Sequence, residues 1–342
     1  MPAVLPLRAA ITRGALITLA NWPTVLIDFI VESIYNVALA VPVIGGAFMV
    51  ALLMGADIQT LLADGMVVAA ERVLGPLGQA PIALLAFGGA VAAVAFGGAV
   101  LMFVVKSGTL AVLVEGERTA GEIQRAPIRW SALRTAAAYT VASVLREARR
   151  FQRRAVLLTA WLGGVYLVIG LAWVMAVTYG FQWAAASPWA SAWLLLVVAV
   201  TSAGVVSWTA ANLVFDLMRV VVVTDDCGVG DAAGRVRRFL LADARQVLGI
   251  FGVMALLGGV TFVASVVGTA GLSVVAWAPL VGIVVLPLQL AFWIVRGLFV
   301  QYAALATLSA YQTQYRRFAA PKTAPKPVAV TAQVHDSQVH EA

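Results

Sequence analysis

Residues 24–46 read TVLIDFIVESIYNVALAVPVIGG, a stretch apolar enough to enter a bilayer that nevertheless carries Asp28 and Glu32 one helical turn apart. A spanning helix needs about 20 mostly apolar residues, and the run that begins at residue 24 supplies them through to residue 54. Pro42, followed by Gly45 and Gly46, predicts a kink in this span, because proline removes a backbone donor and glycine loosens the helix. A charge at mid-bilayer costs at least about 2.5–3.5 kcal/mol on insertion scales, so the two carboxylates need a reason to be there.

The rest of the chain sets the context. Its 342 residues are 62% hydrophobic and 11% charged, against about 45–50% and about 25% in soluble domains, which makes this a membrane protein. A cleavable signal peptide is rejected, although Ala38-Leu39-Ala40 mimics a cleavage site, because Asn21, Asp28, Glu32 and Asn36 interrupt the apolar segment it would need. The single cysteine, Cys227, excludes an intramolecular disulfide and, following Asp225 and Asp226, reads as an incidental loop thiol.

Six segments are long and apolar enough to span: 24–54, 81–114, 155–180, 190–223, 247–277 and 280–312. Basic residues concentrate in the N-terminal segment (Arg8, Arg13), in 115–154, in 224–246 and in the tail, whereas the 55–80 loop has Arg72 against Asp57, Asp64 and Glu71. Positive loops stay cytoplasmic, so both termini are expected on that side of a bacterial inner membrane. Each span pair is preceded by a basic amphipathic segment, at 5–20, 130–154 and 231–246, which gives three units of about 5–114, 130–223 and 231–316. Such segments suit the headgroup region, with Arg146, Arg149, Arg150, Arg153, Arg154, Arg235, Arg237 and Arg238 facing anionic lipid. For 130–154, a cytoplasmic extension of the third span with a solvated basic face is the competing reading.

The period repeats at the ends of the even spans, where FVVKSGTLAVLVEGERTAGE (103–122) lies over LVFDLMRVVVVTDDCGVGD (213–231). With VFDLMRVVVVTDD leading into GRVRRFLLADARQVLGIFG, the chain resembles bacterial multi-pass families that include the membrane domain attached to some glycerophosphoryl diester phosphodiesterases. The resemblance implies a six-helix bacterial inner-membrane fold; with no phosphodiesterase domain present, it carries over no chemistry.

The expected architecture is therefore all-α: one six-span domain over residues 1–318, in three helix pairs with interfacial helices, and a disordered cytoplasmic tail over 319–342. Both histidines, His335 and His340, lie in that tail. No protease, hydrolase, P-loop or dinucleotide motif and no Cys/His cluster occurs, so neither an enzyme, nor a metal, nor any cofactor is expected. Nucleic-acid binding is not expected either, since the arginines border spans. In the second span, Gly89, Ala93 and Gly97 form a small face for close helix packing, within the chain or against a second copy.

Three acids (Asp28, Glu32, Asp216) and three bases (Lys106, Arg219, Arg296) occupy the spans, at similar depth toward the cytoplasmic side except for Arg296, which sits somewhat deeper. Asp28 and Glu32 are expected to face the interior and to pair with at least one of Lys106, Arg219 and Arg296, since opposite charges offset each other's desolvation. Lys106 and Arg219 have snorkelling to the headgroups as an alternative. Asn36 extends the acidic face of the first span, and Gln289 shares a face with Arg296 in the last. Together these residues read either as a polar network that fixes helix register or as the lining of a path. The expected function is that of a non-enzymatic protein whose basic face engages anionic lipid or a protein partner, with a small transporter or channel as the alternative.

Overall fold

A computed structural model describes residues 6–46, 81–125, 128, 130–185, 190–276 and 279–320. The described chain runs through α1 (Leu7–Ala20), α2 (Trp22–Ala40), α3 (Pro81–Thr119), α4 (Trp130–Ala136), α5 (Val141–Ala185), α6 (Ala190–Asp225), α7 (Val229–Ala276) and α8 (Pro279–Ala319). Six of these, α2, α3, α5, α6, α7 and α8, are long and apolar enough to cross a membrane, so the protein is a polytopic all-α membrane protein. The 55–80 loop, the far end of the first span, both histidines and residues 321–342 of the tail lie outside the described residues.

Pro42 falls where the sequence places a kink. Lacking an N–H, it cannot donate to the helix, and α2 passes into a π-helical turn over Val41–Gly45. The other spans outrun the expected limits at the arginine-rich end. Helix α5 has 45 residues, about 68 Å at 1.5 Å per residue, against about 40–45 Å for a bilayer with its headgroups.

Neighbouring spans close a ring in the order α2, α3, α5, α6, α7, α8 and back to α2. The even spans α3, α6 and α8 also touch one another across its middle, so the three pairs surround an inner triangle of returning helices. Among the described residues tight packing is concentrated at the arginine-rich end, where Leu110, Leu113, Leu217, Val220, Val221, Leu305 and Tyr311 are almost wholly buried. On α3 no described residue before Ser107 is buried.

The amphipathic segments depart from the interfacial arrangement expected of them. Helix α1 does not lie on the surface: Ala10, Arg13, Gly14, Leu16, Ile17 and Thr18 are buried, mainly against α8. Gly14 permits this, because a Cβ there would come within 2.6 Å of the Ala306 carbonyl oxygen. The second segment splits into α4 and the first turns of α5, so that 141–154 is the extension of the third span rather than a separate interfacial helix. The third segment is joined to its span through a break at Asp243 (φ −139°, ψ 35°), a backbone conformation close to that of Asn21 between α1 and α2 (φ −111°, ψ 36°). Val229–Ala242 is as long as Leu7–Ala20, so the first and third units share a helix, a polar break and a span, as the sequence period predicts.

The small face of the second span also differs from expectation. Gly89, Ala93 and Gly97 are exposed, and no described residue comes within 4 Å of a Cβ built on Gly89 or Gly97. Close packing on α3 uses Gly108 instead, where a Cβ would come within 2.6 Å of the Val144 carbonyl oxygen.

Candidate functional site

Between the six spans lies a cavity of about 1030 Å³ whose walls are mostly apolar and to which every span contributes. It follows α3 from Ala92 to Lys106, about 20 Å of helix. At the arginine-rich end its floor carries the intramembrane charges, and beyond that floor the packed layer of Leu110, Leu113, Leu217 and Val220 fills the space between the helices. The cavity is therefore blind at that end.

The floor is built from residues one turn apart on adjoining helices. Asp28 and Glu32 of α2 face Lys106 and Thr109 of α3, and Gln301 of α8 closes the third side. Glu32 forms an ion pair with Lys106 at 3.4 Å and accepts a hydrogen bond from the Gln301 amide, tying α2 to both even neighbours. Asp28 is 1% exposed and accepts from the Thr109 hydroxyl at 3.2 Å. It has no ion-pair partner among the described residues, although the charges of Lys106 and Arg219 reach it at longer range. On α6, Arg219 pairs with Asp216 at 3.3 Å, and its guanidinium lies 4.3 Å from the centre of the Phe103 ring. Higher in the cavity the Tyr166 ring of α5 stacks on Trp208 of α6 at 3.9 Å, and its hydroxyl donates to the Asn212 side chain.

Of the two opening carboxylates, Glu32 has the expected ion pair, with Lys106, and Asp28 has none among the described residues. Arg219 remains within its own helix, and Arg296 stands apart in a shallow groove beside Phe262, Ser265 and Thr269, making no ion pair among the described residues. Asn36 is exposed, because four-residue steps drift about 40° per step on a helix of 3.6 residues per turn and carry it off the Asp28 face. Gln289 is half-buried and does not line the cavity. Lys106→Gln is expected to lower the unfolding midpoint in detergent, leaving Glu32 with only a neutral donor, whereas Arg296→Gln should leave it unchanged or raised. The reverse ranking in a thermal unfolding assay would contradict this assignment.

Other polar clusters at the arginine-rich end escape a reading based on spans. Arg13 lies against Glu117 with its Nε 2.8 and 2.9 Å from the two carboxylate oxygens, both side chains buried, and its Nη1 donates to the Gly121 carbonyl and the Gln124 side chain. Asn21 donates to the carbonyls of Ile17 (3.0 Å) and Ala136 (2.9 Å) and accepts from the Ala138 N–H (2.8 Å), which locks the α1–α2 break onto the end of α4. Asp226 adopts a left-handed φ of 51° at the end of α6, a conformation aspartate tolerates better than most residues. It accepts from Arg150 and Arg154 of α5, while Asp225 accepts from Arg235 of α7 and Tyr315 of α8.

Four of the eight arginines expected to face lipid hold an acidic side chain. Arg150, Arg154 and Arg235 staple the corner after α6, because two adjacent acids there offer shorter and better-aligned partners than a headgroup, and Arg146 pairs with Glu147 at 3.5 Å. Arg149, Arg153, Arg237 and Arg238 are exposed and without an ion pair among the described residues. Hydrogen bonds from Arg154 and Arg150 hold the Asp226 carboxyl below the usual range. Its contribution is therefore present at neutral pH and is lost only as the pH falls through that lowered value. Among the described residues no group of three His, Cys, Asp or Glu side chains is placed to hold a metal.

Fold and site together define a six-span helical membrane protein with a ring of paired helices around a blind, charge-floored cavity. Set against known proteins, the chain matches no family model, no curated protein and no solved structure.

Proposed function

We propose that this is a non-enzymatic protein of the bacterial inner membrane, with the arginine-rich end in the cytoplasm, and that its basic face engages anionic lipid in organising or trafficking lipids or proteins. The observation that carries this reading is a pair of stripes. On α7 each side of the break at Asp243 carries an exposed arginine and leucine three residues apart, Arg238 with Leu241 and Arg245 with Leu248; on α5, Leu145, Arg149, Arg153 and Leu157 follow at four-residue steps and are all exposed. Free guanidiniums interleaved with exposed leucines where a span leaves the bilayer suit an anionic headgroup layer, whose attraction is about 1 kcal/mol per basic residue near the surface. The likeness to lipid-phosphodiesterase membrane domains is compatible with a role at lipid but adds no residue to it. Passage through the cavity is the weaker reading, since the packed layer at the arginine-rich end offers no route beyond Asp28.

The experiment uses the full chain in inverted membrane vesicles and in neutral detergent. A tag at the C-terminus should be protected in right-side-out vesicles and accessible in inverted ones. Native mass spectrometry should show phosphatidylglycerol retained over phosphatidylcholine, with at least a tenfold loss when Arg149, Arg153, Arg237 and Arg238 are all changed to Gln. Equal retention of both lipids by the wild type, or an unchanged quadruple variant, would overturn the lipid reading.

A further inference from the structure

The charges on the cavity floor do not balance locally. Lys106 is matched by Glu32 and Arg219 by Asp216, each within ion-pair distance, while Asp28, the most buried of the acids, has only a neutral hydroxyl donor. A buried carboxylate whose nearest cations each pair with another acid has its desolvation cost only partly offset. Three further buried groups in the cavity wall are unmatched: the Gln301 Oε1 has no donor, the Arg219 Nε has no acceptor, and the Tyr311 hydroxyl has no partner. Above them the wall is apolar and aromatic, with the Tyr166–Trp208 stack and the Phe96 and Phe251 rings.

We propose that the cavity binds one amphiphile whose polar end carries an ammonium group, seated on Asp28 with its apolar body lying along the aromatic wall. The ammonium supplies the missing cation to Asp28 and an N–H donor to Gln301, and ring faces beside a carboxylate are the usual surroundings of a bound ammonium. A phosphate next to that ammonium would in turn accept from the Arg219 Nε. The volume, about 1030 Å³, lies at the upper end of the roughly 300–1,000 Å³ range of small-molecule sites. An anion is disfavoured because both bases on the floor already hold an acid. This site is separate from the arginine stripes and stands or falls independently of them.

The test is binding to the purified full chain in neutral detergent, followed by native mass spectrometry with three probes: dioctanoyl phosphatidylethanolamine, dodecylammonium and dioctanoyl phosphatidic acid. With Arg149, Arg153, Arg237 and Arg238 changed to Gln, which removes the face proposed for anionic lipid, at least one ammonium probe should be retained at least tenfold more tightly than phosphatidic acid. Adding D28N to that variant should abolish the preference. D28N removes a buried charge without an ion-pair partner and keeps an acceptor for Thr109, so its unfolding midpoint should not fall; should it fail to fold, the probe ranking of the arginine variant decides alone. Tighter retention of the phosphatidylethanolamine identifies an aminophospholipid, and equal or tighter retention of dodecylammonium identifies an amine without phosphate; both support the proposal. Equal or tighter binding of phosphatidic acid by the arginine variant, no retention of any probe, or an unchanged preference on adding D28N would overturn it.

Discussion

Glu117→Leu is expected to cost the protein about 3–5 kcal/mol of stability, the usual result of removing one partner of a buried ion pair. The loss has an identifiable source. Arg13 is 7% exposed and donates to both oxygens of Glu117, so without the carboxylate its guanidinium keeps its burial and loses its neutralising partner. Glu117 also lies in the field of Arg316, and Arg317 responds to both Arg13 and Glu117, so removing the acid leaves several like charges at one helix end. Thermal unfolding in mild detergent should show a large drop for Glu117→Leu and for Arg13→Met. The double variant should recover more than half of it, because an apolar pair of similar volume carries no orphaned charge. A double variant as unstable as the sum of the singles would show that the two residues act separately.

Asn21→Ala is expected to be nearly as damaging, at about 2–4 kcal/mol, because it leaves two backbone groups without partners, the Ala136 carbonyl and the Ala138 N–H, each worth about 1–3 kcal/mol when buried and unsatisfied. Asn21 is 0% exposed, so water does not replace the side chain. Amide hydrogen exchange should report the loss locally: protection at Ala138 should fall, with α1 and α4 separating before the spans open. An unchanged midpoint together with unchanged protection at Ala138 would show that the break between α1 and α2 is held by packing alone.

Membrane placement, the six spans and the pairing of helices into three units were legible in the sequence, because each follows from local composition or from a repeated local pattern. Asp28 and Glu32 could be assigned to the interior on the same footing, since any other placement leaves two charges in hydrocarbon. The choice of partner was not legible. Lys106, Arg219 and Arg296 are equivalent by composition, with Arg296 only somewhat deeper, and only the ring order of the helices brings Lys106 to Glu32 while turning Arg296 toward α7. The Gly89, Ala93 and Gly97 face had the right spacing for packing, yet spacing says nothing about which neighbour arrives, and Gly108 is where α5 approaches.

Arg13, Asn21 and the Asp225–Asp226 corner show the same division. Arg13 read as a topology signal and Asn21 as an interruption in an apolar run, both true of the sequence taken one segment at a time. Their partners lie more than a hundred residues away, Glu117 for Arg13 and Ala136 and Ala138 for Asn21. By itself the sequence determined that this chain enters a membrane six times in paired helices, because hydropathy and charge bias act on each segment as it meets the bilayer. Only the tertiary structure decided which charges pair, which arginines stay free and where a cavity is left. Those outcomes depend on side chains from different helices meeting at distances of a few ångströms, and a hydropathy pattern carries no such information.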